Sequence, residues 1–228
     1  MLKIENVTVE FQQFKALDNV SCTIYENDFV LILGHNGAGK STLFDIISGK
    51  TKPCYGKLAL NGKNITNHSE LRRAGYISRV FQNTHSGSVA SLTLAENLAM
   101  ATWKKRKVSL SQGLKSFPRE RILNILKPLN LRFEELLNTP IGQLSGGQRQ
   151  IITFIMATLC EPKILLLDEP TAALDPVSAE NLLQFVKDYV KDKKIATLMI
   201  THDEQRARHL SNKTWVMDKG SLKEEERN

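Results

Sequence analysis

Apolar residues near the start of the chain fall at Ile4, Val7 and Val9 and again at Val20, Cys22 and Ile24. This partial alternation predicts short strands with one solvated face, and so a small antiparallel layer. At Phe29 the pattern changes to FVLIL, a continuous apolar run before glycines, which predicts a parallel strand covered on both faces. Runs of the same kind recur at 76–81, 164–167, 195–200 and 215–217. Between them the spacing turns helical. Residues 41–48 end at Gly49, a suitable C-terminal stop, and 179–190 gather Leu182, Leu183, Val186 and Val190 on one side. Strands alternating with helices predict an α/β layer.

Residues 89–160 depart from that alternation. Ile122, Leu123, Ile125 and Leu126, and then Ile151, Ile152, Ile155, Met156 and Leu159, follow helical spacing, and no strand stands out. The reading is one domain over 1–228, with a core from 1–88 and 161–228 that carries the antiparallel layer and an inserted helical subdomain at 89–160. An apolar content of 41% over 228 residues is enough for a sizeable core. A net charge of +7 suits an anionic ligand or surface without naming one, and the basic run at 104–107 reads as a solvated face. No apolar run approaches the roughly 18 residues that cross a bilayer. The first residues, MLKIENVTVE, lack the charged and apolar regions of a secretory signal, so the expected place is the cytoplasm. Cys22, Cys54 and Cys160 are odd in number and scattered, which fits neither a disulfide framework nor a CxxC zinc site; they read as packing thiols.

Candidate chemistry begins directly after FVLIL. Gly34-His35-Asn36-Gly37-Ala38-Gly39-Lys40-Ser41-Thr42 matches GxxxxGK[ST] at every fixed position. Glycines let successive backbone N–H groups turn inward, and the helix that follows adds the positive end of its dipole, which together make a phosphate cradle. Lys40 is placed to reach the β and γ phosphates of a triphosphate and Ser41 to ligate Mg²⁺. A glycine turn that binds nothing is the bland alternative, disfavoured by the strand, loop, Lys-Ser pair and helix coming in order. At 164–169 four apolar residues precede Asp168 and Glu169. A buried strand ending in two carboxylates needs water, a cation or a donor for each charge. Asp168 is the natural Mg²⁺ partner, and Glu169 could orient or deprotonate the attacking water.

A phosphate loop alone admits kinases, GTPases, helicases and transport ATPases. Leu144-Ser145-Gly146-Gly147-Gln148-Arg149-Gln150 decides among them, because it carries the LSGGQ signature without a mismatch. The chain thereby resembles the ATP-binding subunits of ABC transporters, from about Val7 to Gly220. Ser145, Gly146, Gly147 and Gln148 also form a second phosphate-binding surface at a helix N-terminus. The resemblance implies that this surface meets the γ phosphate of ATP held by another subunit, so that two cassettes close head to tail around two ATP molecules.

Further residues follow from the resemblance one at a time. Gln82 matches the glutamine that meets Mg²⁺ and the attacking water, and 83–91 join the core to the helical part. Asp175 matches the loop that runs along the partner's active site, although a helix N-cap before Pro176 explains it equally well locally. His202 corresponds to the histidine that contacts the γ phosphate. Phe11 takes the place of the aromatic that stacks on adenine, with Phe14 as its rival. The implied fold is a P-loop NTPase core, a mostly parallel sheet with flanking helices, bearing the N-terminal antiparallel layer and the inserted helices. Loops after Leu33, Phe81, Leu167 and Thr201 then share the carboxyl rim of the sheet, where open α/β sheets bind ligands. Ile151 and Met156 stand where the family often has arginine, and Gln12 and Gln13 where glycine is usual after the aromatic.

The implied function is the ATPase subunit of a membrane transporter, with a second cassette and transmembrane permease subunits as partners. It would lie at the cytoplasmic face of the membrane, with coupling through a groove that holds a short permease helix and no room for a regulatory domain after Gly220. The segment 87–98, with 145–150 and 156–159, is similar to importers of the tryptophan or tyrosine type, which adds an extracytoplasmic solute-binding protein as a partner. An exporter ATPase is the alternative. A soluble ABC ATPase acting on ribosomes or DNA is a third reading, but nothing between Lys40 and Ser145 sustains the heptads of a long coiled coil, and nucleic acid is not an expected partner.

Overall fold

The computed structural model describes residues 1–12, 14–82, 87–102, 120, 122, 133–159 and 161–225. Strands β1 (Leu2–Phe11) and β2 (Phe14–Ile24) form an antiparallel hairpin. On its other edge β1 pairs antiparallel with β4 (Tyr55–Leu60), and β5 (Lys63–Asn64) completes a sheet of order β2-β1-β4-β5. Its inner face carries Leu2, Ile4, Val7, Val20, Ile24 and Leu58, all buried.

The second sheet contains β3 (Phe29–Leu33), β6 (Ile77–Val80), β7 (Ile164–Asp168), β8 (Ala196–Ile200), β9 (Lys213–Asp218) and β10 (Ser221–Glu225). Their order is β10-β9-β3-β8-β7-β6, parallel throughout except for the β9–β10 hairpin. The α/β layer and the antiparallel layer expected from the apolar pattern are both present.

Helices flank this sheet: α1 (Lys40–Ser48), α2 (Glu70–Arg73), α3 (Leu94–Thr102), α4 (Phe133–Leu136), α5 (Gly146–Thr158), α6 (Pro176–Asp192) and α7 (Glu204–Arg208). Helix α1 stops where anticipated, because Gly49 takes φ 85° and its N–H donates to Asp45 O. Helix α3 starts with a reciprocal cap in which the N–H of Thr93 donates to Glu96 Oε2 and the N–H of Glu96 to Thr93 Oγ1.

Alternate residues of the central strands face opposite cores. Val30, Ile32, Leu166 and Leu198 pack with Leu43, Phe44 and Ile47 of α1 and with the first sheet. Leu31, Leu165, Leu167 and Met199 pack with α5 and α6 through Ile152, Ile155, Leu182 and Val186. Each such side chain withdrawn from water contributes about 1.5–3 kcal/mol. An edge-to-face contact of Phe154 on Phe185, 5.8 Å between centroids, joins α5 to α6.

Within 87–159 the described residues hold α3, α4, a 3₁₀ turn at Ile141–Gln143 and α5, tied by one bridge between Thr93 and Pro140. Ile122 is buried in the α5–α6 core, as its spacing suggests. Leu123, Ile125, Leu126, the 104–107 basic run, Gln13 and Cys160 lie outside the described residues. One expectation is corrected. Cys22 packs against the first core, where burial and the charge of Glu224 push its thiol up to about 12, but Cys54 is exposed on the surface before β4 and does not pack.

Candidate functional site

The phosphate loop runs from the end of β3 into α1 and is braced from both sheets. A Cβ at Gly34 would lie 2.2 Å from Met217 O of β9, and one at Gly39 would lie 2.4 Å from Ala16 O of β2. Both glycines have positive φ, so no other residue fits either position. The N–H of Gly220, in the β9–β10 turn, donates to Ala38 O at 3.0 Å. Inside the loop the Lys40 ammonium donates to the carbonyls of Gly34 and His35, at 2.5 and 2.9 Å. Burial lowers the Lys40 pKa, and the charges of Glu169 and Asp168 act against that shift.

Strand β7 delivers the two acids to the same rim. Asp168 Oδ2 accepts from Arg79 Nη2 at 2.7 Å. Glu169 departs from the strand with φ 50°, an uncommon conformation for a side chain of this size, and its N–H donates to Ile200 O on β8 at 2.9 Å. That bend turns the carboxylate inward. Its Oε2 accepts from the backbone N–H of His202 at 3.3 Å, and His202 Nε2 lies 3.5 Å from Oε1. Glu169 is 8% exposed, Oε1 is buried without a hydrogen bond, and burial raises the pKa of this carboxyl. A buried carboxylate oxygen lacking a donor is a place for a water proton.

These parts converge on one cavity of about 420 Å³. Phe11, Asn36, Gly37, Gly39, Lys40, Ser41, Thr42, Gln82, Asp168, Glu169 and His202 line it, together with Phe14. Gly34 and Ala38 support the loop from behind. Phe11 and Phe14 pair at the turn end of the β1–β2 hairpin and are both about half exposed, so either ring can meet a flat base. The Ser41 hydroxyl, the Gln82 side-chain carbonyl and the Asp168 carboxylate are hard oxygen donors, which suit Mg²⁺. No group of three acidic, His or Cys side chains forms a metal cage among the described residues.

Ser145, Gly146, Gly147 and Gln148 do not line this cavity. They open α5 with a capping box, in which Ser145 Oγ accepts from the Gln148 N–H at 3.2 Å and Gln148 Oε1 accepts from the Ser145 N–H at 3.0 Å. A Cβ on Gly147 would come within 2.7 Å of Leu174 Cδ2, so the signature packs on the loop that leads to Asp175. Asp175 caps α6, accepting from the N–H groups of Ser178 and Val177 at 3.1 Å each, and bonding at this cap holds its carboxyl below the usual range.

The ABC transporter family model matches residues 17–172. The chain belongs to the ABC transporter ATP-binding family. It is 37% identical over 227 residues to a tyrosine transport ATP-binding protein of Clostridioides difficile, covering 97% of this chain and 90% of that one. It is 35% identical over 224 residues to a xylose/arabinose import ATP-binding protein of Sulfolobus acidocaldarius, covering 97% and 86%. A dimeric ATP-binding cassette solved in a post-hydrolysis state with ADP and Pi superposes with TM-score 0.83 at 31% identity, over all of both chains. The protein is therefore an ABC ATPase with the P-loop core expected from its sequence. No helix among the described residues is long and apolar enough to cross a membrane.

Two features of this cassette escaped the sequence. One is Arg79, whose partners Asp45 and Asp168 are 34 and 89 residues away, so that no local pattern announces it. The other is the composition of a groove of about 300 Å³ lined by Ile77, Phe81, Gly87, Met100 and Met156. Met156, where the family often has arginine, adds apolar surface to it.

Proposed function

We propose that this cassette hydrolyses ATP as half of a head-to-tail pair and so drives import of a small solute, with tyrosine or a related amino acid as the first candidate. The observation that carries the pairing is the separation of Ser145 and its neighbours from a cavity that already gathers Lys40, Gln82, Asp168, Glu169 and His202. A signature that cannot serve its own cavity is available to a neighbour's. Importer relatives support the direction, and the tyrosine transport relative supports the solute.

In this reading Gly37, Gly39 and the N-terminus of α1 hold the phosphates while Lys40 neutralises the β and γ oxygens. An aromatic ring at Phe11 or Phe14 covers the base. Ser41, Gln82 and Asp168 would hold Mg²⁺, which would neutralise phosphate charge when bound. Glu169, its proton affinity raised by burial, orients the attacking water and accepts its proton, and His202 steadies both the carboxylate and the γ phosphate. Ser145, Gly146, Gly147 and Gln148 of one copy cap the γ phosphate of the other, and Asp175 lies along the shared seam. Residues 89–160 act as the helical subdomain of the pair. The apolar groove by Phe81 and Met156 receives a helix of a transmembrane permease, which keeps the cassette at the cytoplasmic face of the membrane, and an extracytoplasmic binding protein delivers the solute.

Mixing two inactive variants tests the shared site. Lys40→Ala should lose ATP binding, and Ser145→Arg should lose the pairing surface. Together they should restore one composite site and part of the ATPase activity. Mixtures as inactive as either variant alone would refute the pairing. Loss of labelled tyrosine uptake in cells lacking the cassette checks the solute, and unchanged uptake removes it.

A further inference from the structure

Arg79 projects from β6 into the wall between the groove and the nucleotide cavity, and its side chain is only 9% exposed. One end of its fork bonds Asp45 of α1, and the other bonds Asp168 Oδ2 at 2.7 Å. The guanidinium lies over the rings of Phe44 and Phe81, 5.5 and 5.0 Å from their centroids. A second cation, Lys50, approaches Asp45 at 3.7 Å but is largely exposed. The arrangement fixes one buried positive charge between two acids contributed by different elements. Charge-assisted hydrogen bonds of this kind are strong and directional where water is excluded.

From this geometry we infer that Arg79 is a positioning residue for Asp168. It pins Oδ2 and thereby sets the rotation of the carboxylate of a residue that lines the cavity together with Ser41. Without it Asp168 keeps its charge but rotates about its side-chain bonds, and the metal must then order it on binding. The pair with Asp45 is neutral, so Arg79 orients Asp168 without filling the cavity with net positive charge. The inference rests on the proposed role of Asp168 as a metal ligand, and it goes beyond that role in naming what holds the ligand still.

The test measures metal binding apart from turnover. Mn²⁺ is titrated into the cassette with a fluorescent ATP analogue bound and is followed by its paramagnetic resonance signal; affinity for the analogue is measured separately in EDTA. Because Arg79→Met alone takes the shared partner from two partly buried acids, leaving only the exposed Lys50 near Asp45, and risks misfolding, the principal variant is Arg79→Met with Asp45→Asn, which keeps the local charge balance. Its Mn²⁺ midpoint should rise about tenfold, the loss expected from one charge-assisted hydrogen bond, with nucleotide affinity in EDTA within about twofold of the parent. Arg79→Lys, which keeps the charge but not the fork, should fall between the two. Asp168→Ala serves as the reference. If it weakens Mn²⁺ binding and the Arg79 variants do not, or if they bind Mn²⁺ more tightly, Arg79 has no positioning role. If Asp168→Ala leaves Mn²⁺ binding unchanged, the assignment of Asp168 as a metal ligand falls, and this inference with it.

Discussion

Glu169 shows at the scale of one residue how a catalytic candidate can weaken the fold that carries it. Burial raises its folded pKa above the ordinary carboxyl value of about 4.3, so its contribution to stability is fully present below that value and is lost as pH rises through the raised one. Glu169→Gln has no charge to desolvate. Its melting temperature should match the parent at acidic pH and exceed it above neutrality, and a difference that does not change with pH would contradict the burial argument. Arg73 is the converse case. It is wholly buried, and its guanidinium donates to the carbonyls of Ile46, Ile47, Ile65 and Thr66. Arg73→Met should cost about 3 kcal/mol in urea unfolding and leave nucleotide affinity of the folded protein unchanged. The chemistry of 34–42 and of Asp168 and Glu169 could be read from local spacing, because each is a contiguous motif. The tasks of Arg73 and Arg79 could not, since the carbonyls and acids they serve become neighbours only through the topology.

At the scale of elements the same difference recurs. Buried runs such as 29–33 and 164–168 were legible because both of their faces are covered and the apolar residues are continuous. Strand β4 was missed because Tyr55, Gly56 and Lys57 are exposed and only Leu58 and Leu60 mark its inner face. Strand β10 was missed because SLKEE is an exposed edge held mainly by backbone bonds to β9. Helices α2 and α7, of four and five residues, are too short to display a period. The capping box of α5 bears on function, since Ser145 both starts a helix and is proposed to meet phosphate. Replacement by Asp separates the two tasks, because Asp is as good a cap but repels phosphate. Ser145→Asp should keep the parent's stability and lose ATP-dependent pairing, whereas Ser145→Ala should lose about 1 kcal/mol. Pairing that survives in Ser145→Asp would confine this serine to its cap.

For the whole molecule, strand order brings the loops after β3, β7 and β8 to one rim, and the signature stays outside the cavity they line. A hydrolysis-deficient Glu169→Gln cassette should therefore double its mass in size-exclusion chromatography when Mg-ATP is added. A persistent monomer at saturating nucleotide would count against a shared site. The phosphate loop, meanwhile, leans on carbonyls of Ala16 and Met217 and on the N–H of Gly220. Its shape is thus borrowed from β2 and from the β9–β10 hairpin. Splicing a short flexible insert between Lys219 and Gly220 should loosen the grip on ATP without touching a single ligand-facing side chain, which makes that hairpin tip a handle for tuning affinity from a distance.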